Sequence, residues 1–220
     1  MKTYREFISE SLRDKMKPIS NDDIRNSLEG LNDSDKIKTI IINKLPYEYL
    51  PDNLVIDGDL EIGYKDIIKL PDNLTVNGNM EAWFNKLTQL PSNLTVKGKL
   101  SISGNKIYKF RDDLNIQKGI SIDGNRIHKL PDNLSINGDF NCSKNKLKEL
   151  PNNLIVKGDL YCVENDLTSL PNDLIVKGDV HAYSTLLPKN IKKPLGVKGK
   201  LMIWVSVKQE ADSKRIEIIQ

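Results

Sequence analysis

The sequence predicts a mainly β repeat solenoid whose coils are twenty residues long. Three observations predict it: an LPxNL box that returns at a fixed spacing, apolar residues that alternate around a glycine after each box, and an Asn followed two residues later by an aliphatic residue. Repetition at one short period is typical of units that stack in series, because a single unit cannot bury its own apolar face. The repeats occupy most of a 220-residue chain, so they define its architecture.

The box closes each coil. Its Pro fixes φ and removes an amide donor, and its Asp and Asn residues favour a turn. Asp52, Asp72 and Asp132 fall in the box, and we expect each to bond the backbone of its own turn. The copies begin at Leu50, Leu70, Leu90, Leu130, Leu150, Leu170 (with Asp173 in the Asn position) and, in degenerate form, Phe110.

Two short strands follow each box. In one copy Leu134 and Ile136 alternate with polar residues, Gly138 turns the chain, and Phe140 and Cys142 resume the alternation. A period of two residues is typical of strands. Twenty residues leave too little chain for a full helix on the return.

An asparagine column follows the second strands. Stacked in register, each Asn is expected to bond the turn backbone of its own coil and of the next, which would fix the corner. The column comprises Asn85, Asn105, Asn125, Asn145 and Asn165.

The copy at residues 110–129 departs from the pattern. Arg111 stands where other copies have Pro, and the glycine slips one place to Gly119. This predicts either a bulge or kink in the stack, or drift at a tolerant turn. A second irregularity, a lysine-rich insertion after Pro188, delays the pattern by one residue.

These features divide the chain into four parts. Residues 50–190 form the repeat solenoid, and residues 191–220 its last irregular coil and C-terminal cap. Residues 11–49 are predicted to be a helical N-terminal cap, because a capping signal at Ser20 or Asn21 precedes apolar residues at helical spacing. Residues 1–10 are a separate candidate propeptide.

The motif LxIxxNxL followed by LP resembles the leucine-rich repeat, and the twenty-residue period is similar to its short bacterial and phage versions. The resemblance implies an interaction scaffold without enzymatic activity, whose partner is a host or phage protein. The Val-x-Gly strand departs from the helix-backed horseshoe of that family. It predicts strands on two faces, closer to a β-solenoid.

The first ten residues, MKTYREFISE, resemble the capsid-targeting segment of internal head proteins of T-even-type tailed phages. The triplet Ile8, Ser9 and Glu10 matches the site after which the prohead protease cuts, so Ser11 would become the new N-terminus. This implies packaging in the virion interior and delivery to the host. Alternatively, the apolar residues belong to an ordinary helix of a protein in the host cytoplasm. The segment is too polar for a secretory signal peptide.

Composition limits the remaining functions. The formal charge of +3, with 33 basic and 30 acidic residues, does not predict binding to nucleic acid, and no apolar run is long enough to span a membrane. Cys142 and Cys162 lie one period apart and are predicted to be buried thiols rather than a disulfide. His128 and His181 fall in different columns, and the chain has no CxxC motif or phosphate loop. The sequence therefore predicts no enzyme, metal or cofactor.

Large residues gather at two places in the outward columns beside the second strand. Aromatic side chains on a rigid sheet are typical anchors of protein interfaces, so both groups are candidate partner-binding sites. The alternative is that they help neighbouring coils to pack or lie under a cap. The second group is the better candidate, because its members come from two adjacent coils. The groups are Tyr64, Trp83 and Phe84, and then Tyr161, Val163, His181 and Tyr183.

The sequence therefore predicts a non-enzymatic, protein-binding phage scaffold. Two alternatives remain: a cytoplasmic regulator of host or defence proteins, and a structural component of the head.

Overall fold

A computed structural model describes residues 29–32, 35, 52–183, 187–188, 191–206 and 214–219, the last segment and residues 204–206 by their backbone alone. The described chain is a parallel β-solenoid with about twenty residues in each coil, and the predicted fold class is confirmed. The processing residues at positions 8–11 and nearly all of the predicted helical cap lie outside the described residues.

Within the described residues, seven coils each contribute two strands of two residues, and a longer hairpin follows them. In chain order the strands are β1 (Val55–Ile56), β2 (Leu60–Glu61), β3 (Thr75–Val76), β4 (Met80–Glu81), β5 (Thr95–Val96), β6 (Leu100–Ser101), β7 (Asn115–Ile116), β8 (Ile120–Ser121), β9 (Ser135–Ile136), β10 (Phe140–Asn141), β11 (Ile155–Val156), β12 (Leu160–Tyr161), β13 (Ile175–Val176), β14 (Val180–His181), β15 (Leu201–Ser206) and β16 (Lys214–Ile219).

The strands stack in register, so each residue lies beside the residue one coil later. Leu60 pairs with Met80, and Met80 pairs with Leu100. The second strands of all coils join β15 and β16 in one nine-stranded sheet, which we call the long sheet. The first strands form a four-stranded and a three-stranded sheet, and the return segments between residues 52 and 183 contain no helix.

The core is a set of apolar columns that run the length of the stack. The first coil buries six side chains, each 6% exposed or less: Leu54, Ile56, Leu60, Ile62, Ile67 and Leu70. At roughly 1.5–3 kcal/mol for each buried side chain, one coil does not offset the entropy of ordering twenty residues at about 1–2 kcal/mol each. The coils are therefore stable only as neighbours in a stack.

The asparagine column ties each coil to the preceding one. The Nδ2 of Asn105 donates to the Ala82 carbonyl at 2.9 Å and to the Ile102 carbonyl of its own coil at 3.0 Å. Its Oδ1 accepts from the Leu87 amide at 3.1 Å. Each asparagine bonds its own coil, as expected. The other coil that it bonds is the preceding one rather than the next. The five asparagines of the column are 6% exposed or less.

The box aspartates also bond between coils, and the expectation that each bonds its own turn is wrong. Asp72 Oδ1 accepts from both the amide and the hydroxyl of Ser92 at 2.7 Å, and these bonds lower the Asp72 pKa. Asp52 and Asp132 accept in the same way from the amides one coil later. Coils about 4.8 Å apart place the neighbouring amide within reach of a short side chain.

The irregular copy interrupts one side of the solenoid. The first-strand sheet ends at β7 and restarts at β9, while the long sheet continues through both coils. Leu114, Ile116 and Leu134, which flank the break, are only partly buried. Arg111 and Asp113 form a two-bond ion pair at 2.7 and 2.6 Å, which raises the Arg111 pKa and lowers that of Asp113. The copy with the displaced glycine therefore interrupts the sheet of first strands and leaves the long sheet intact.

The last coil rejoins the stack with a shift of one residue. Val180 pairs with Leu201, a separation of 21 residues instead of 20. Strand β15 then pairs antiparallel with β16, which forms one edge of the long sheet. The parallel stack therefore ends in a hairpin.

Replacing Asn125 with Ala should reduce the free energy of unfolding by about 2–4 kcal/mol, because buried amide and carbonyl groups lose their partners. Asn125 bonds the carbonyls of Ile102 and Ile122 at 3.0 Å and the Ile107 amide at 3.0 Å. Urea unfolding followed by circular dichroism measures the change. Arg126→Ala, at an exposed neighbour, is the control, and an equal effect of the two substitutions would contradict the structural role of the column.

Candidate functional site

The candidate site lies on the outward face of the long sheet. Alternation along each second strand sends one residue into the core and the next to the surface: Leu100 is 1% exposed, whereas Ser101 is partly exposed. In-register stacking then lines up the outward residues of successive coils about 4.8 Å apart. A face built in this way displays one side chain for each coil in each column.

The proximal aromatic cluster consists of Tyr64, Trp83 and Phe84. The Tyr64 and Phe84 rings stack with centroids 4.9 Å apart, and the Trp83 ring meets Tyr64 edge-on at 4.8 Å. A Cβ at Gly63 would come within 2.7 Å of the Trp83 ring, so the indole requires a glycine there. Tyr64 and Phe84 are 67% and 53% exposed, which leaves much of the cluster open to a partner.

The distal aromatic cluster consists of Tyr161, His181 and Tyr183. The Tyr161 and His181 rings stack at 4.4 Å, and Tyr183 meets His181 edge-on at 6.1 Å. The Tyr183 hydroxyl also donates to the Met202 sulfur at 3.7 Å. Val163 is partly buried on the same face, and its amide donates to the Ser143 hydroxyl at 3.1 Å. The structure therefore brings the three predicted rings together, with Val163 beside them.

A groove of about 370 Å³ lies between the two clusters. It crosses the coils from Glu81 to Tyr161, a distance of about 19 Å at 4.8 Å for each coil. Glu81 borders the proximal cluster, because its carboxylate accepts from the Trp83 indole at 3.3 Å. The residues that shape the groove are Glu81, Ser101, Ser121, Asp139, Asn141 and Tyr161.

The groove exists because the middle coils carry short side chains there. Serines occupy the outward position at Ser101 and Ser121, where the preceding coil has Glu81 and the two following coils have Asn141 and Tyr161. The slipped glycine removes a further side chain: Gly119 stands in a column that otherwise holds residues such as Lys99 and Asp139. The irregular copy thus supplies the open centre of the groove.

Hydrogen bonds hold the polar groups in fixed orientations. The hydroxyls of Ser103 and Ser121 both bond Asp123 Oδ1 beside the groove, Ser121 at 2.8 Å. Asn141 Oδ1 accepts from the Ser143 amide at 3.1 Å, so the carboxamide lies along its own strand. One face of the Tyr161 ring lines the groove, and His181 stacks on the opposite face of that ring.

The distal end of the groove is electrically negative. The Tyr161 hydroxyl donates to Asp159 at 3.3 Å. Burial raises the Tyr161 pKa, and the negative charges of Asp159, Asp139 and Asp179 raise it further. The phenol is therefore held in its neutral form up to a higher pH than a free tyrosine.

Sequence reasoning missed a column of left-handed residues beside this face. Tyr64 and Phe84 have φ of 54° and 51°, and Lys144 and Glu164 both have φ of 53°. Such values cost bulky residues about 1–2 kcal/mol each. The only signal in the sequence was Gly104 and Gly124, the glycines of the same column that directly precede an Asn. The corner that presents the Tyr64 and Phe84 rings is therefore strained.

Fold and site define a parallel β-solenoid repeat protein with a grooved outer face. The chain matches no family model, and no curated protein or solved structure is significantly similar to it. Within the described residues, no cluster of three or more His, Cys, Asp and Glu is placed to hold a metal ion. No helix in that part of the chain is long and apolar enough to cross a membrane.

The two cysteines lie in the core behind this face, and we expect them to be unreactive in the folded protein. Both are free and 0% exposed. Burial raises the Cys162 pKa to about 12 and raises that of Cys142 well above its usual range, so thiolate is scarce at pH 8. A disulfide-exchange reagent at pH 8 should label neither thiol in the native protein. The same reagent should label both thiols in 6 M guanidinium, and this denatured sample is the control. Rapid native labelling would contradict the buried placement.

Proposed function

We propose that this chain is a non-enzymatic, protein-binding repeat scaffold of a tailed phage, packaged in the head, cleaved after Glu10 and delivered to the host. The observation that carries the binding role is the grooved face of the long sheet, bounded at each end by aromatic residues. The leucine-rich-repeat-like motifs support the scaffold role, and the N-terminal segment supports the phage origin.

The geometry favours binding over the face rather than at a single pocket. Aromatic anchors restrict few side-chain torsions on binding and dominate many interfaces. Here they are fixed before any partner arrives, because ring stacking and the hydrogen-bonded sheet hold them. A partner that spans both clusters would cover more than four coils, and preorganisation reduces the entropic cost of such an interface.

Replacing Tyr161 and Tyr183 together with Ser should abolish capture of the partner while the fold remains intact. Both rings are partly buried outside the core, so their loss removes contact area without opening a core cavity. Affinity capture from infected-cell lysate, quantified by mass spectrometry, would identify proteins that the wild type enriches. Titration calorimetry with the identified protein would then measure the loss, which we expect to exceed ten-fold for two interface anchors.

The control replaces an equal number of exposed apolar residues elsewhere. Ile68 and Tyr108 are 57% and 55% exposed and lie in a column of the return segment, away from the groove. Ile68→Ser with Tyr108→Ser should leave binding unchanged. If the control variant loses the partner as well, or the Tyr161 and Tyr183 variant retains it, this face is not the interface.

Mass spectrometry of the N-terminal peptide tests packaging and processing. In purified virions we expect a species that begins at Ser11, because Ile8, Ser9 and Glu10 match the cleavage triplet. Glu10→Gln should leave a full-length N-terminus, since the protease requires the glutamate. Full-length protein found only in the lysate would favour a cytoplasmic regulator, and many uncleaved copies in each particle would favour a structural head component.

A further inference from the structure

We propose that the groove between the two aromatic clusters binds an extended, arginine- or lysine-containing segment of the protein partner. This inference rests on the proposed protein-binding function and names the chemistry of the segment that is bound. It depends on the charge of the groove, the hydrogen-bonding direction of its groups, its aromatic end and its length.

The charge of this face opposes that of the chain. The whole chain has a formal charge of +3. In the three outward columns of the second strands, which begin at Asp59, Glu61 and Gly63, acidic side chains outnumber basic ones among the described residues, while Lys118 and Lys144 lie in the columns on either side. Among the residues that line the groove, Lys99 is the single base, against Glu81 and Asp139. The acids are Asp59, Glu61, Glu81, Asp123, Asp139, Asp159 and Asp179, and the bases are Lys99 and Lys200. A cationic segment is complementary to such a face.

Several polar groups of the groove can accept hydrogen bonds, beside the donors Lys99 and Asn141. Ser121 uses its hydroxyl proton on Asp123 and its oxygen lies 3.2 Å from the Ser103 hydroxyl, which leaves one oxygen lone pair for a further donor. One oxygen of Asp139 accepts from the Asp159 amide at 3.0 Å, and the second oxygen of the same carboxylate is a further acceptor. Arginine and lysine side chains only donate, and arginine matches a carboxylate with two parallel bonds.

The aromatic end suits the same occupant. One face of the Tyr161 ring is covered by His181, and the other lines the groove. A guanidinium or ammonium group within about 6 Å of a tyrosine ring gains a cation–π attraction. The nearby carboxylates of Asp139, Asp159 and Asp179, whose field acts on the Tyr161 hydroxyl, add to that attraction.

The length of the groove selects an extended chain. About 19 Å between Glu81 and Tyr161 corresponds to roughly six residues at 3.3 Å each. The backbone groups beneath the groove already bond within the long sheet, so the occupant is held by its side chains rather than by an added strand. Alternate residues of an extended segment point the same way, so every second residue faces the groove.

Fluorescence anisotropy with a synthetic peptide tests the proposal on the full chain. The probe is a labelled seven-residue peptide in which three arginines alternate with serines. Two control probes replace arginine with citrulline, which keeps the shape but loses the charge, or with glutamate. We expect the arginine peptide to bind, its affinity to fall about ten-fold between 50 and 300 mM salt, and the control peptides to bind at least ten-fold more weakly.

Two sets of protein variants locate the binding. Glu81→Gln with Asp139→Asn removes the charges but keeps an oxygen for the Trp83 indole and the Asp159 amide. The matched control, Asp132→Asn with Glu149→Gln, removes the same charges near the box corner. We expect about a ten-fold loss of peptide affinity in the first pair and none in the second.

A third variant fills the groove without adding negative charge. Lys118→Gly with Gly119→Asn restores the order found at Gly78 and Asn79, where the Asn bonds the next coil. A Cβ at position 119 would lie 2.9 Å from the Asp139 carbonyl oxygen, so this turn must move to the regular geometry to accept the Asn. Removal of Lys118 favours a cationic peptide, so a loss of binding here reports the filled space. Its urea midpoint, compared with that of the wild type, confirms that the variant folds.

The proposal is wrong if the citrulline peptide binds as tightly as the arginine peptide, or if the Glu81 and Asp139 variant binds the arginine peptide as the wild type does. It is also wrong if maltohexaose, a neutral oligosaccharide, binds the groove and the arginine peptide does not. None of these outcomes counts against the protein-binding function if the Tyr161 and Tyr183 variant still loses its partner. The reverse result, peptide binding that follows these rules without any captured partner, supports the groove chemistry and counts against the broader function.

Discussion

The stack depends on an in-register contact between coils, which a buried asparagine makes at the same corner of five successive coils. Each of these asparagines joins carbonyls of two coils and receives an amide from the preceding one. Without this exact register the apolar columns would not meet, because strands of two residues are too short to hold an alignment alone. The outward columns, the two aromatic clusters and the groove all inherit their alignment from that contact.

The repeated elements were predictable from sequence because their causes are local and recur. Period-two alternation indicated the strands, and the column of Asn105 and its equivalents indicated the corner. Features that arise between coils were not predictable from one copy. The aspartates of the box bond the next coil, which depends on spacing rather than on residue type. The break after β7 lies in the copy with the displaced Gly119, which signalled an irregularity there, whereas the continuity of the long sheet through the same coils had no signal in that copy.

The candidate site was only partly predictable for the same reason. The two aromatic groups follow directly from columns of the repeat, once strands stack in register. The groove between them exists because Ser101 and Ser121 have short side chains and Gly119 has none. Small residues form a groove only where larger residues stand beside them. The left-handed conformations of Tyr64 and Phe84 were signalled only by Gly104 and Gly124 of the same column, because neither Tyr nor Phe favours positive φ.

The corner asparagines give the solenoid a direction. Each one reaches back to the coil before it, so the group that completes a given coil always lies about twenty residues later in the chain. During synthesis the N-terminal coils leave the ribosome first, and each new coil brings the side chain that secures its predecessor. Such a molecule can be assembled vectorially, one turn at a time, without first bringing distant parts of the chain together.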